Sequence, residues 1–423
     1  MGVTMTLNKI PAYLTSILLI CSAANSYAAV QWIGDNASEL ESAGFTCVGN
    51  VCTSGSNTDD VEIINVGTNG DPASLVFNHT AQWNQNAGAF QMSGDVYMDF
   101  TNNGNITGPL YGVYVSNGAQ YNGNITNSLD AKLFGDDTAV LIEGSTFNGD
   151  IINYGKMDAR LMDAIAVKNS VFNGNILNSG EQMGSYRSIY IDSNSVFNGY
   201  IQNDGVMNTY AASIYNESAS LIDYRGSGQM DSLHTMGGVE FSNMDRTPIR
   251  YITGSGGITY SNRAGDTTIH LKIPAQQSWL DDSKIVSNIG DLTLKDITLS
   301  LDITTSNPTY SGLYNVAKSN TAVNGSNLTW LLNGSAINSD DYTYEITGWG
   351  TKEVWFDLYL NYWTQGDNTH LKHKGFTCEG ENECETTVQS DMVLIKSVGL
   401  SDEYATLTNN HNIIGSGSQH GIE

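Results

Sequence analysis

Apolar residues recur along the middle of this chain at two spacings at once. Within short segments they alternate with polar residues, and the whole pattern returns after about 25 positions. Local alternation with β-branched and aromatic residues, bounded by Gly, Asn, Asp and Ser, is the pattern of short strands. The longer period is clearest in Tyr121-Asn122-Gly123-Asn124-Ile125-Thr126-Asn127, which returns at 147–153, 172–178 and 197–203, with starts 26, 25 and 25 residues apart. A partial copy lies at 103–107. A second element precedes each of the four copies and recurs once after the last: Gly112-Val113-Tyr114-Val115, then 139–142, 164–167, 188–191 and 212–215. A helical solenoid would need apolar residues spread over ten or more positions without this density of Gly and Asn.

A circuit of strand, turn, strand, turn that closes every 25 residues cannot bury its apolar side alone, so successive circuits must stack. The predicted fold is all-β: a right-handed parallel β-helix with coils of about 25 residues, an N-terminal cap and a Trp-rich C-terminal β cap. Stacking predicts an inward aliphatic ladder of Ile125, Ile151, Ile176 and Ile201. Tyr121, Phe147, Phe172 and Phe197 form an aromatic ladder four residues earlier, on the same face if the strand runs unbroken. Gly123, Gly149, Gly174 and Gly199 allow a tight bend and close approach between coils. Asn127, Asn153, Asn178 and Asn203 are placed to bond side chain to backbone along the stack. Tyr114, Tyr190 and Tyr215 alternate with core positions and are expected to face outward, a line of rings on which sugars could stack.

The same reading divides the chain. Residues 1–28 have Lys9, an apolar stretch at 10–20 and Ser26-Tyr27-Ala28, the order of a secretory leader cut after Ala28. Cys21 raises a lipoprotein reading, but Ile20 stands where a small residue is needed. Residues 29–100 form an N-terminal cap and first irregular coils, with Val30-Gln31-Trp32-Ile33 covering an open first coil. The β-helix spans 101–325, with further strands near 257–260, 268–273, 284–289 and 292–303. Residues 326–400, with Trp330, Trp349, Trp355 and Trp363, form the aromatic-rich C-terminal cap, and 401–423 a flexible tail.

Composition narrows the function. The formal net charge is -26, from 44 acidic and 18 basic residues. Clustered Lys and Arg are needed on a phosphate backbone, so nucleic acid is excluded as an expected partner. No dedicated calcium loop stands in the sequence, and neither a cofactor nor a metal is expected. Cys47/Cys52 and Cys378/Cys384 form two close pairs in matching settings, Gly44-Phe45-Thr46-Cys47 and Gly375-Phe376-Thr377-Cys378. In an exported chain they read as two local disulfide clips near the ends of the folded body. Zinc would require four ligands to meet from opposite ends of the chain, and neither spacing is that of a redox pair.

Candidate chemistry is sparse. Glycosidic cleavage needs two carboxyl groups about 5 to 9 Å apart. Asp137 and Asp163, one coil apart, with Asp136, Arg160 and Arg187 near them, are the best cluster available. Asp is common at turns, so no catalytic residue is assigned. His270 is placed in a strand, and His370 and His373 are too isolated to form a metal site without a partner.

The four Asn-Gly-x-Ile-x-Asn copies at 122–127, 148–153, 173–178 and 198–203, behind a leader, resemble the passenger region of Gram-negative autotransporters. The resemblance covers roughly 60–320. It implies passage through the periplasm, display at or release from the cell surface, and an adhesive or structural role there, with surface glycans, proteins or other copies as partners. The alternative is a secreted β-helix that binds or degrades polysaccharide. The family ends in a transmembrane β-barrel, for which the residues after the Trp-rich segment leave no room. The expectation is a passenger-like piece, a chain served by a separate outer-membrane barrel, or an exported relative with the periplasm as its alternative location.

Overall fold

The computed structural model describes residues 30–34, 36–55, 60–82, 87–230, 232–249, 251–273, 284–303, 312–361, 368–379, 383–386 and 406–409. The segment expected to be a leader, Cys21, Tyr362, Trp363 and nearly all of the expected tail lie outside the described residues.

One coil shows how the repeat folds. Strand Ile125–Asn127 is followed by Lys132–Gly135, Thr138–Glu143 and Thr146–Phe147, after which Ile151–Asn153 begins the next coil. Each strand pairs in parallel with its equivalent one coil away: Ile125 with Ile151, Leu133 with Met157, Val140 with Ile165, and Phe147 with Phe172. Among the described residues the strands therefore assemble into long sheets of thirteen, seven and ten strands and a narrow one of five, which together wall a right-handed parallel β-helix.

The core is a set of ladders. Ile125, Ile151, Ile176 and Ile201 are buried one above another in the thirteen-stranded sheet. Tyr121, Phe147, Phe172 and Phe197 stack with ring centroids 4.9, 4.8 and 5.2 Å apart and planes within 22°. These rings do not share a strand with the isoleucines. Gln120–Tyr121 belongs to the five-stranded sheet, and the chain bends at 122–124 before Ile125. Ring and aliphatic side chain both reach the core because the chain turns a corner between them. The glycine in the corner is required by close approach: a β-carbon on Gly149 would overlap the carbonyl oxygen of Gly123 below it.

Asparagines satisfy the corner polar groups. The Asn102, Asn127, Asn153, Asn178 and Asn203 side chains are buried; each of the first four amides donates to the next side-chain carbonyl oxygen at 2.8 Å, and Asn203 donates to the Tyr224 hydroxyl at 3.3 Å. Each also reaches a backbone carbonyl, as Asn153 reaches Glu181 at 2.9 Å. The ladder is thus side chain to side chain as well as side chain to backbone. An exposed companion ladder runs through Asn122, Asn148, Asn173 and Asn198 at 2.7 Å per rung.

The two ends are built differently from the coils. At the start, Val30–Ile33 pairs with Val61–Ile64 and buries Trp32. A short helix, Ser38–Ser42, leads to the hairpin Thr46–Val48/Val51–Thr53, clipped by the Cys47–Cys52 disulfide. At the far end, parallel pairing in the thirteen-stranded sheet runs to Val323–Ser326. An antiparallel sheet of Gly312–Ser319, Glu353–Leu360 and Tyr342–Thr347 lies beside it, with Trp330 packed against Phe356 at 4.5 Å. Beyond Asn361 come helix Thr369–His373 and a second hairpin, Thr377–Glu379/Glu383–Thr386, clipped by Cys378–Cys384. No helix among the described residues is long and apolar enough to cross a membrane, which leaves β-barrels unaddressed.

Candidate functional site

In the ten-stranded sheet, Val113, Val140, Ile165, Ile189 and Ile214 point into the core. The next residue on each strand faces the other way. Register places Gln91, Tyr114, Leu141, Ala166, Tyr190, Tyr215, His234 and Thr253 in one outward row. Tyr114, Tyr190 and Tyr215 are thus on the outer surface, half-buried, as the alternation predicts.

The row carries fixed hydrogen-bond geometry. The Tyr114 hydroxyl donates to Glu143 at 2.7 Å and the Tyr190 hydroxyl to Glu217 at 2.8 Å. Partial burial, then the adjoining carboxylate, pushes both phenols up to about 12, so each stays a neutral donor at physiological pH. Tyr215 stacks on His234 with centroids 4.2 Å apart and planes 12° apart, and His234 Nδ1 lies 3.0 Å from the Thr253 hydroxyl. Burial lowers the His234 pKa, with Glu217 opposing, which favours a neutral ring in the stack.

Arg187 anchors the centre. Its guanidinium lies 3.6 Å from the Tyr190 ring centroid and also faces Tyr186 and Tyr215 at 4.9 and 5.3 Å. It donates through Nε and Nη2 to both carboxylate oxygens of Asp163, at 2.6 and 3.0 Å. Asp163 is fully buried and Arg187 nearly so. Burial pushes the Asp163 carboxyl up, and the Arg187 guanidinium and Lys168 oppose it. The carboxylate pair suggested by spacing does not assemble: Asp163 is committed to Arg187, while register sets Thr138, not Asp137, opposite it. Asp136 pairs with Arg160 at 2.6 Å on the surface. The pair is a structural tie and does not offer two water-facing carboxyls to a sugar bond.

The corner leading into this sheet holds residues the sequence reading passed over. Leu110, Leu161, Met162, Tyr186 and Tyr210 sit in the turns before Tyr111–Val115, Asp163–Lys168, Arg187–Ile191 and Ala212–Asn216, with Asp136 and Asp137 in the corner before Thr138–Glu143; all five are exposed, Tyr210 by 94%. The corners stack through backbone bonds from Asp137 to Leu110, Met162 to Asp137, Tyr186 to Met162, and Ala211 to Tyr186. Large apolar residues recurring in turns, where polar ones are ordinary, were the available signal. Leu141 and Ala166 are buried and divide the outward row, so the exposed aromatic part is Tyr190, Tyr215 and His234, joined to Tyr186 through Arg187, with Tyr210 in the adjoining corner; exposed apolar groupings of this kind mark interaction sites. A shallow cavity of about 250 Å³ at the other end of these strands, lined by Gly118, Gln120, Thr146 and Asn169 among others, has no ionisable group in its wall.

The histidines lie elsewhere. His270, in strand Thr268–Ile273, places Nδ1 2.8 Å from Asp302 and Nε2 2.7 Å from Asp245. His370 is buried with Nδ1 3.2 Å from the Leu360 carbonyl, and His373 stacks on Tyr359 at 3.6 Å. Among the described residues no group of three or more His, Cys, Asp or Glu is arranged to hold a metal ion.

No family model, curated protein or solved structure matches this chain.

Proposed function

We propose that this chain is an exported, passenger-like β-helix that acts at the bacterial cell surface as an adhesive scaffold, holding glycans on the outer surface of its ten-stranded sheet. The observation that carries this reading is the run Tyr190, Tyr215 and His234, backed by Arg187 and bordered by the exposed rings of Tyr186 and Tyr210. Flat neutral rings offer an apolar plate to the C–H face of a sugar, and the fixed carboxylates of Glu143 and Glu217 accept hydroxyl or ammonium donors. The charge of -26 disfavours polyanionic glycans, so neutral and amino sugars are the preferred class. Two disulfides and the leader-like 1–28 segment support export into an oxidising compartment.

The test is binding of the purified chain to an array of neutral, amino and acidic glycans at physiological salt. Tyr210→Ala combined with Tyr186→Ala should weaken retention at least tenfold, whereas Tyr154→Ala, which removes an exposed ring from another corner, should not. Retention of no glycan, or equal loss in all variants, would overturn the reading. Protease treatment of intact host cells, followed by immunoblotting with a lysis control, tests the surface location separately.

A further inference from the structure

The first coil is opened by a defined unit. Helix Ser38–Ser42 buries Leu40, and Gly44 at φ 92° turns the chain so that the amide of the buried Phe45 donates to the Leu40 carbonyl at 2.9 Å. The disulfide hairpin follows. Its inner strand Val51–Thr53 then pairs in parallel with Ala73–Phe77, Cys52 opposite Leu75. Its outer strand runs antiparallel and ends the ladder, which stops further strands from adding there.

The same unit recurs after the β-helix. Helix Thr369–His373 buries Leu371, Gly375 turns at φ 86°, and the amide of the buried Phe376 donates to the Leu371 carbonyl at 3.0 Å. Inner strand Glu383–Thr386 pairs in parallel with Thr406–Asn409, and Cys384 stands opposite Leu407 as Cys52 stands opposite Leu75. The cysteine separations, 5 and 6, place a single extra residue in the second hairpin. With that one insertion the sequences align well beyond the hairpin. Trp363 falls on Trp32, Val393 and Ile395 on Val61 and Ile63, Val398-Gly399 on Val66-Gly67, and Asn410-His411 on Asn78-His79. A clip that merely ended the protein would have no need of residues 61–67 and 78–79, whose work in the first copy is to build the opening coil. The C-terminal side of the β-helix already has its own antiparallel strands within 312–360.

We propose that the segment aligned at 362–412 is a second start unit: its helix Thr369–His373 and disulfide hairpin cap one side, and Thr406–Asn409 is the edge on which a parallel coil of this chain's own repeat type is laid. In the first copy, Ala73–Phe77 receives Met98–Asn102 on that edge, in register from Ala73↔Met98 to Phe77↔Asn102. Thr406–Asn409 is the outermost strand of its sheet among the described residues. The partner is therefore a β-coil with inward aliphatic residues at alternate positions. This inference is independent of the glycan reading.

The test exchanges the units. A chain in which 362–412 replaces 31–80 ahead of the coils at 81–361 is compared with the native chain and with one lacking 31–80. A second chimera exchanges only the helix and hairpin, 369–385 for 38–53, and so keeps the native strands that follow. The expected result is a monomer with native β circular dichroism, a protease-resistant body and a cooperative melt in at least one chimera, while the deletion aggregates or is digested. If both chimeras behave like the deletion, or if the deletion itself remains as stable as the native chain, the assignment is wrong.

Discussion

Truncation of one asparagine in the buried ladder tests the energetic logic of the whole stack. Asn153 accepts from Asn127 at 2.8 Å and donates to Asn178 at 2.8 Å and to the Glu181 carbonyl at 2.9 Å. Asn153→Ala removes these three bonds and leaves the buried Asn178 oxygen and the part-buried Glu181 carbonyl without that donor. A net bond contributes about 1 kcal/mol, and a buried group left unsatisfied costs about 1–3 kcal/mol, so the expected loss is about 3–5 kcal/mol. Asn178→Ala should cost a similar amount. Because the two share one bond, the double variant should fall short of additivity by about 1–2 kcal/mol. Asn148→Ala is the control: it breaks the exposed ladder, where water replaces the partners, and should cost under about 1 kcal/mol. Guanidinium titration followed by circular dichroism gives the global values, and hydrogen exchange at the Ile151 and Ile176 amides reports local opening, since a solenoid is able to unzip in parts. A loss below about 1 kcal/mol for Asn153→Ala, or strict additivity with Asn178→Ala, would refute the claim that the ladder stabilises the coils.

Breaking the buried ion pair with Arg187→Met should destabilise by about 3–5 kcal/mol, because Asp163 is left buried and unpaired, while Arg187→Met with Asp163→Leu should recover most of that loss in the same titration. Gly149→Ala should lower stability by about 1–3 kcal/mol, read as a lower denaturant midpoint, since its methyl group has no room beside the Gly123 carbonyl, and an unchanged midpoint would show that the coils separate easily. His270 gives a pH dependence. Burial lowers its pKa, but hydrogen bonds and charge from Asp245 and Asp302 together outweigh burial, and the net shift is upward. A raised folded-state value means the contribution is fully present below the unfolded value of about 6.5 and lost as pH rises through the folded value. His270→Gln should therefore flatten the melting temperature across that window, and an unchanged profile would exclude the carboxylate bridge.

Much of the site's frame was legible because a stacked fold writes its contacts into the sequence as a fixed period. Residues 25 or 26 apart become neighbours, so the ladders headed by Tyr121, Ile125 and Asn127 could be read before any coordinates, and alternation alone placed Tyr114, Tyr190 and Tyr215 outside. The bend at Gly123 was legible as a glycine but not as a change of sheet, which is why the aromatic and aliphatic ladders were assigned to one strand. The partnership of Asp163 with Arg187 was hidden for a similar reason. A carboxylate's nearest charge is set by register to within one residue, and spacing could not choose between Asp137 and Thr138 as the residue opposite it.

The sequence by itself determined the coil, its period, the identity of the stacked positions and the cysteine pairing, because each depends on short-range pattern repeated in phase. Tertiary structure alone decided how many sheets wall the coil, where each corner turns, and which turns bring Leu161, Met162, Tyr186 and Tyr210 into one exposed ridge beside the tyrosine row. It also showed that the two cysteine hairpins share one hydrogen-bonding and strand-pairing scheme, which four matching residues could only hint at. The physical reason is that exposure and sheet membership depend on how backbone corners stack across coils, and a one-residue change in register moves a side chain from the core to the surface.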